Sequence, residues 1–307
     1  MNTPLVSVII PNYCHAKYLD QRIQSVLNQT YQNFEVIILD DCSPDGGASK
    51  AVIEKYHNNS HVSHIVYNEN NSGSPYKQWK KGADMAQGEL LWIAESDDYA
   101  DEHFLEVLVP QFEVNKKVSV AFCRSVLFNE DGIIGNAGSA SLQEKLYDGI
   151  EFIRKYLIIG TEIVNASSAI FSKQSYLGID DIYTTFKGSG DHMFWVLLSE
   201  IGDVVFVDKP YNYFRHHNSN TTKLMTETGR NQIEDKRIFD YICDKGYLSK
   251  EEIPQRIREI MRVNVFELLT DKKVKKLIYK EWGFNIIQQI SLKLVSYIDK
   301  IRNKIYC

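Results

Sequence analysis

The chain has no apolar run approaching the roughly 18–20 residues that a membrane span requires. Its best runs, Leu5–Ile10 and Val36–Leu39, have the length of strands. Seventeen glycines and seven prolines in 307 residues are too few for a collagen-like, linker or Pro-rich chain. The five cysteines show neither a CxxC pair nor Cys/His metal spacing, which reads as free thiols in a reducing compartment. The start, Met-Asn-Thr-Pro-Leu, lacks a basic segment followed by an apolar one, so no signal peptide and a cytoplasmic location are expected. A GxxxxGK[ST] phosphate loop is missing. Pro11-Asn12-Tyr13-Cys14-His15 stands where a GxGxxG turn would follow the first strand, which disfavours the usual nicotinamide and flavin chemistry.

What is present is an ordinary globular composition, 44% apolar and 24% charged. The net charge of −5 hides an asymmetry: Asp271–Cys307 holds nine Lys/Arg against three Asp/Glu, so the first 270 residues carry −11. An acidic body excludes nucleic acid as the natural partner, because such binding rests on Lys and Arg neutralising phosphates.

Over the first 125 residues, strand-like runs alternate with helical patterns. Leu5–Ile10, Glu35–Leu39, His61–Tyr67, Leu90–Ala94 and Val118–Cys123 read as strands. The segments 16–29, 48–56, 75–86 and 102–115 read as helices; in the first, Leu19, Ile23, Val26 and Leu27 recur on one face. This alternation predicts an α/β fold with a mostly parallel sheet buried on both faces. Ligands of such sheets sit outside the carboxyl ends of the strands. Four polar clusters follow strands here: Pro11-Asn12-Tyr13, Asp40-Asp41, Asn68–Gly73 and Glu95-Ser96-Asp97-Asp98. Residues 148–222 are mixed, with a strand at Val204–Val207 and a polar, aromatic stretch after Pro210. Beyond Thr222 the pattern is helical.

Three carboxylates in four positions, Glu95, Asp97 and Asp98, repel one another unless something positive lies between them. A divalent cation on a nucleoside diphosphate would resolve this, since Mg²⁺ commonly takes one or two carboxylates plus phosphate oxygens. The competing structural reading is an exposed acidic turn that begins a helix. Asp40-Asp41 could accept from a base N–H or a ribose hydroxyl, or simply end a strand in an Asx-turn. Tyr13 could stack on a base or pack on its own loop. Asp191 lies at a turn before a helix, where an N-cap is the plain explanation. Arg215, His216 and His217 follow Tyr211, Tyr213 and Phe214 and could neutralise a diphosphate leaving group. His57, His61 and His64 straddle a loop and a strand and read as structural or exposed.

Three ordered blocks resemble the GT-A glycosyltransferases of family 2: VSVIIPNYCHAKYLDQRIQSVLNQTYQNFEVIILDDCSPD at 6–45, NSGSPYKQWKKGADMAQGELLWIAESDDY at 71–99, and GDHMFWVLLSEIGDVVFVDKPYNYFRHH at 190–217. The resemblance covers residues 5–222. It implies a Rossmann-like GT-A domain at 1–222, with a nucleotide-sugar half at 1–100 and an acceptor half at 101–222, followed by a helical region at 223–307. It further implies inverting transfer of a hexose or N-acetylhexosamine from a UDP-sugar to a saccharide or lipid-linked oligosaccharide, as in surface-polysaccharide assembly. On that resemblance Asp41 reads the base, with Asp40 beside it and Pro11 and Tyr13 framing it. Glu95 takes the first position of the DxD-type motif, where Asp is commoner, Ser96 the middle one, and Asp97 the metal-binding one. Asp191 matches the general base. Arg215 precedes His217, which matches the histidine that approaches the diphosphate or its Mn²⁺ or Mg²⁺.

Two other functions compete: a nucleotide-sugar-binding subunit without catalysis, and a Mg²⁺-dependent nucleotidyltransferase, the latter disfavoured by the missing phosphate loop. The tail adds a separate expectation. Ile287, Ile290, Leu294, Ile298, Ile301 and Ile305 form one helical stripe, flanked by Lys293, Lys300, Arg302 and Lys304 and preceded by Trp282 and Phe284. The stripe packs on the protein or a second subunit, or residues 282–307 lie on an anionic membrane at the inner face of the cell.

Overall fold

The computed structural model describes residues 3–138, 142–217, 225 and 227–291. β1 (Val6–Asn12) and β2 (Phe34–Asp40) are buried along their whole length, as strands covered on both faces must be. They run parallel, with Val6 opposite Phe34 and Asn12 opposite Asp40. β3 (Val62–Tyr67) lies outside β2, and β4 (Leu90–Ile93) lies on the other side of β1, both parallel to their neighbours. The helices between them span Ala16–Leu27, Ala48–Ile53 and Pro75–Met85.

The second half of the sheet is mixed. It contains β5 (Tyr99–Ala100), β6 (Val118–Asn129), β7 (Gly132–Ala137), β8 (Lys145–Tyr147), β9 (Ala169–Ser172) and β10 (Asp203–Arg215). The order is β3-β2-β1-β4-β9-β6-β10-β5, with β7 paired to β6 and β8 to β10. β9 is antiparallel to both β4 and β6, whereas β10 is parallel to β6. The expected α/β architecture with a mostly parallel sheet and C-terminal helices is the one observed.

Two boundaries differ from expectation, and both involve proline. The helix expected over 102–115 is split into Phe104–Leu108 and Pro110–Val114, because Pro110 has no N–H to continue the ladder. The strand expected to stop at Val207 instead continues as β10 to Arg215, passing Pro210 through register shifts. Such irregularities are where a sheet tolerates proline. This longer strand carries Arg215 to the end of the sheet.

The described residues form two compact units, one within 3–153 and 161–217, the other within 154–160 and 225–291. The second contains helices Arg230–Asp244, Ile253–Ile260 and Lys272–Glu281. Asn264 Nδ2 donates to Ile159 O at 2.7 Å, tying in its short first segment. Trp282 packs on Phe239 and donates its Nε1–H to Gln232 O at 3.0 Å, while Phe284 stacks on Tyr279. Trp282 and Phe284 are therefore core residues of this unit; a surface-binding tail cannot begin at 282. Ile286, Ile287 and Ile290 are exposed. The rest of the stripe, Leu294, Ile298, Ile301 and Ile305 with Lys293, Lys300, Arg302 and Lys304, lies outside the described residues. Among the described residues no helix is long and apolar enough to cross a membrane.

Candidate active site

β1 and β2 end side by side, and their last residues bond to each other. Asn12 Nδ2 donates to Asp40 Oδ1 at 2.7 Å, and Asp40 also accepts from the Ser43 N–H and hydroxyl at 3.0 and 2.7 Å. Asp41 is more heavily engaged. Its Oδ1 accepts from Asn68 Nδ2, the Ser72 N–H and Gln78 Nε2 at 2.7–2.9 Å, and its Oδ2 from the Ser72 hydroxyl at 2.7 Å. This carboxylate joins the ends of β2 and β3 to the helix Pro75–Met85. Pro11 is buried in β1, and Tyr13 just beyond it is 45% exposed. Cys14 and Cys42, each two residues past the Asn12–Asp40 pair, both have φ of 59°. That left-handed backbone is costly for any residue with a Cβ.

The loop after β3 reaches across to the turn that precedes Asp191. Lys187 Nζ donates to Gly73 O at 2.8 Å, and Tyr76 OH to Gly188 O at 2.8 Å. At Gly190 a Cβ would stand 2.4 Å from the Tyr76 ring and 2.8 Å from Tyr183 O, so only glycine allows this approach. The helix Gly190–Ile201 starts there with Ser189 in the cap position. Asp191 is thus in the first helical turn rather than at the cap, a place where a carboxylate favours the helix N-terminus. It is half-buried.

The Glu95–Asp98 turn follows β4 and is not an exposed acidic turn. Asp98 is wholly buried: Oδ2 accepts from Asn165 Nδ2 and the Ser167 hydroxyl at 2.9 and 2.8 Å, and Oδ1 from the Arg215 N–H at 2.9 Å. The Arg22 guanidinium, also fully buried, stands 3.8 Å from Asp98 and donates its Nε–H to Glu95 O at 2.8 Å. Trp79 Nε1 donates to Glu95 Oε1 at 2.7 Å. The Ser96 hydroxyl and His15 Nδ1 share a 2.9 Å hydrogen bond. His217 Nε2 lies 3.0 Å from Asp97 Oδ2, and His15 Nδ1 lies 3.9 Å from Asp97 Oδ1.

Arg215 has a different place from the one its sequence context suggests. Its guanidinium sits 4.4 Å from both the Tyr18 and Phe128 ring centroids, donating to Asp97 O at 2.7 Å and Gln21 Oε1 at 2.6 Å. It clamps the acidic turn from the side. The His217 ring stacks on Tyr18 at 5.6 Å.

The electrostatics of the turn are unbalanced. Burial, then the Asp97 charge, pushes the Glu95 carboxyl up to about 8. The same two causes raise Asp98, with Arg22 opposing them. Burial also acts to raise Asp97, but the His217 hydrogen bond and the charges of His15 and His217 outweigh it and hold this carboxyl below its ordinary range. Full ionisation of the three carboxyls is thus disfavoured as the protein stands, and an added cation would favour it. His15, Asp97 and His217 each offer a ligand atom within 4.8 Å of the others. The donor set fits a divalent ion.

His15, Tyr18, Gln21 and Arg22 join the site without belonging to any polar cluster that marks it in the sequence. The available signal was spacing: Tyr18 and Arg22 are four apart on the helix Ala16–Leu27, and Arg22 interrupts the otherwise apolar buried positions Leu19, Ile23 and Val26.

Comparison with known proteins bears on the family and the fold. The chain is 33% identical over 109 residues to glycosyltransferase GlyG of Streptococcus pneumoniae, covering 36% of this chain and 35% of that protein. It is 36% identical over 104 residues to poly(ribitol-phosphate) beta-N-acetylglucosaminyltransferase TarS of Staphylococcus aureus, covering 33% and 17%. The chain spans half or less of the length of such curated relatives. The crystal structure of TarS 1–349 with UDP-GlcNAc superposes with a TM-score of 0.60 at 18% identity, covering 96% of this chain and 92% of that one. The mannosyltransferase PcManGT of Pyrobaculum calidifontis, in complex with GDP-Man and Mn²⁺, gives 0.59 at 12% identity, covering 97% and 81%. At these identities the two structures speak for the fold alone. The family model of glycosyl transferase family 2 matches residues 7–175, more than half of the sequence, and the chain belongs to that family.

Proposed function

We propose that the chain is an inverting glycosyltransferase that moves a hexose or N-acetylhexosamine from a UDP-sugar to an acceptor hydroxyl, in the assembly of a lipid-linked oligosaccharide, O-antigen or capsule. The observation that carries this reading is the pairing of Asp97, after β4, with His217, after β10, at 3.0 Å, with His15 close enough to share an ion with them. That a TarS fragment was crystallised with UDP-GlcNAc, and PcManGT with GDP-Man and Mn²⁺, supports a nucleotide-sugar donor and a divalent ion.

On this reading the uridine lies over β1 and β2. The exposed Tyr13 ring beside Pro11 offers a flat face to the base. Asp41 Oδ2, with one protein donor, accepts from a base N–H, and Asp40 keeps the supporting loop in place. Glu95 Oε1 is held by Trp79, leaving Oε2 for a ribose hydroxyl, with Ser96 next to it. Asp97 and His217 would hold Mn²⁺ or Mg²⁺, which when bound supplies Lewis-acid neutralisation of the departing diphosphate. Arg215 fixes the Asp97 main chain and does not itself need to reach phosphate. Asp191 takes the proton of the acceptor hydroxyl as that oxygen attacks the anomeric carbon, and the electron pair of the broken C–O bond leaves with UDP. One displacement inverts the configuration without a covalent enzyme intermediate.

Incubation with UDP-Glc, UDP-Gal, UDP-GlcNAc and UDP-GalNAc, with and without EDTA, tests the reading. Metal-dependent release of UDP with formation of a glycoside is expected. Pyrophosphate or inorganic phosphate as product, or full activity in EDTA, overturns it.

The same reading includes peripheral membrane contact through the basic tail, supported by the exposed Ile286, Ile287 and Ile290 and the excess of Lys and Arg after Asp271. A chain ending at Asn285 keeps the buried Trp282 and Phe284. It is expected to stay folded and to lose the binding to anionic vesicles that the full chain has at low salt. Equal binding by both, or by neither, removes the tail from that role.

A further inference from the structure

The acidic turn faces a histidine to which the proposed mechanism gives no role. His15 follows β1 and begins the run into the helix Ala16–Leu27, and its ring stands edge-on to His217 at 5.8 Å between centroids. Its Nδ1 is 2.9 Å from the Ser96 hydroxyl and 3.9 Å from Asp97 Oδ1. One ring nitrogen of His15, one of His217 and one Asp97 oxygen lie within 4.8 Å of one another. An ion whose bonds are about 2.1 Å long spans two of its ligands by no more than about 4.2 Å. The Asp97 Oδ2–His217 and Asp97 Oδ1–His15 separations of 3.0 and 3.9 Å fall inside that reach, and the two imidazole nitrogens, held within 4.8 Å, need a shift of at most about 0.6 Å to share one ion.

The surroundings are those of ligands held in place. His217 is stacked on Tyr18, and Asp97 is fixed through its main chain by Arg215. The His15 Nδ1 that faces Asp97 is also the nitrogen bonded to the Ser96 hydroxyl, which rotates freely and would turn away when an ion takes that nitrogen.

We propose that His15 is a third protein ligand of the divalent ion, making the site a set of two imidazoles and one carboxylate that selects a first-row transition ion over Mg²⁺. Imidazole nitrogen suits such ions, whereas Mg²⁺ favours oxygen and gives up water reluctantly. With only Asp97 and His217 the site offers one nitrogen and little reason for discrimination. With His15 it offers two, and leaves the remaining positions to diphosphate oxygens. This rests on the cation site proposed above, so the test must separate the two.

Mn²⁺, Co²⁺ and Mg²⁺ binding is measured by titration calorimetry on the full chain and on His15→Ala, His15→Asn and Asp97→Ala, with and without UDP. Melting curves check that each variant is folded, and His15→Asn keeps a side-chain amide near Ser96 should His15→Ala fail to fold. Cu²⁺ as a spectroscopic probe counts coordinated imidazoles through their nitrogen couplings. The expected result is Co²⁺ and Mn²⁺ bound in preference to Mg²⁺, two imidazoles on the probe, and one imidazole with at least about tenfold weaker Co²⁺ binding in the His15 variants. If the His15 variants keep wild-type affinity and imidazole count while Asp97→Ala loses the ion, His15 is not a ligand and the two-residue site stands. If Asp97→Ala also binds as wild type does, the cation site itself is wrong.

Discussion

The two carboxylate sites at the ends of the parallel strands are built on opposite terms. At the end of β2, Asp41 is surrounded by neutral donors from Asn68, Ser72 and Gln78, and every one of them comes from the protein. At the end of β4, three carboxylates crowd together, two of them with raised pKa values caused by burial and by the third. The first is a network of neutral donors that organises loops, with Asn12 Oδ1 and Gln78 Oε1 as its buried oxygens lacking a protein partner among the described residues. The second gathers carboxyls whose joint ionisation is disfavoured by burial and by one another, and such a cluster is a place for an ion. Removing Asp97 should therefore cost activity with little loss of stability, whereas removing Asp41 should cost stability as well as nucleotide binding.

The largest effect is expected at Asp97. Asp97→Asn keeps the shape but removes the charge, and turnover should fall by at least about 10³-fold, the several kcal/mol that metal stabilisation of a leaving group is worth. The melting temperature in EDTA should change little, because Glu95 and Asp98 lose a repelling neighbour. A large drop in melting temperature would break the contrast, since Asp97 would then be structural like Asp41.

Asp191 comes next. Asp191→Asn should lower kcat by at least about 10²-fold, the low end for loss of a general base, with UDP affinity unchanged. Near-normal kcat would take the base role away from it. A parallel loss of UDP affinity would move Asp191 to the donor side.

Most of the first half of the molecule was legible in the sequence, because its strands are apolar on both faces and its helices show one apolar face. The polar clusters at the strand ends were legible for the same reason: they interrupt that pattern. What escaped has physical causes. β9 is four residues long, and β10 continues past Pro210 only because its pairing with β6 shifts register there. No period in the sequence announces either. Yet β10 delivers Arg215, and β9 separates β4 from β6. Arg22 escaped because a buried arginine looks like a solvent-facing one until Asp98 is seen beside it. His15 escaped because its link is to Asp97, 82 positions away, and to Ser96. Arg215 was noticed for its charge, but its chemistry depends on the Tyr18 and Phe128 rings that enclose it.

The third prediction probes the Asp41 network. Asp41→Ala takes the acceptor from half-buried Asn68 and buried Gln78, and should cost about 2–3 kcal/mol, the range for losing hydrogen bonds to a charged acceptor. At roughly 2–4 °C per kcal/mol for a domain of this size, the melting temperature should fall clearly more than in Asp97→Asn. The loop 71–74, which meets the turn before Asp191, should become more open to proteolysis. If Asp41→Ala melts like the wild type but binds UDP poorly, Asp41 serves the ligand more than the fold.

The smallest effect concerns where backbone strain is kept. Cys14 and Cys42 both have φ of 59°, one after β1 and one after β2, on the side of the site where the Asp41 network lies. A left-handed residue with a Cβ costs about 1–2 kcal/mol, and glycine recovers this while losing roughly 0.5–1 kcal/mol through the greater freedom of the unfolded chain. Cys42→Gly should therefore stabilise the protein by no more than about 1 kcal/mol. The one hydrogen bond given up is weak, a thiol donating to Glu69 O at 3.4 Å. UDP affinity should stay unchanged, because the neighbouring Asp40–Ser43 bonds hold the loop in either case. A destabilised Cys42→Gly would mean that the thiol packing outweighs the backbone strain. A stabilised variant with weaker UDP binding would mean that the strain holds the loop in the shape the nucleotide needs, and the hydrogen bonds at the end of β2 would then not suffice to hold it there.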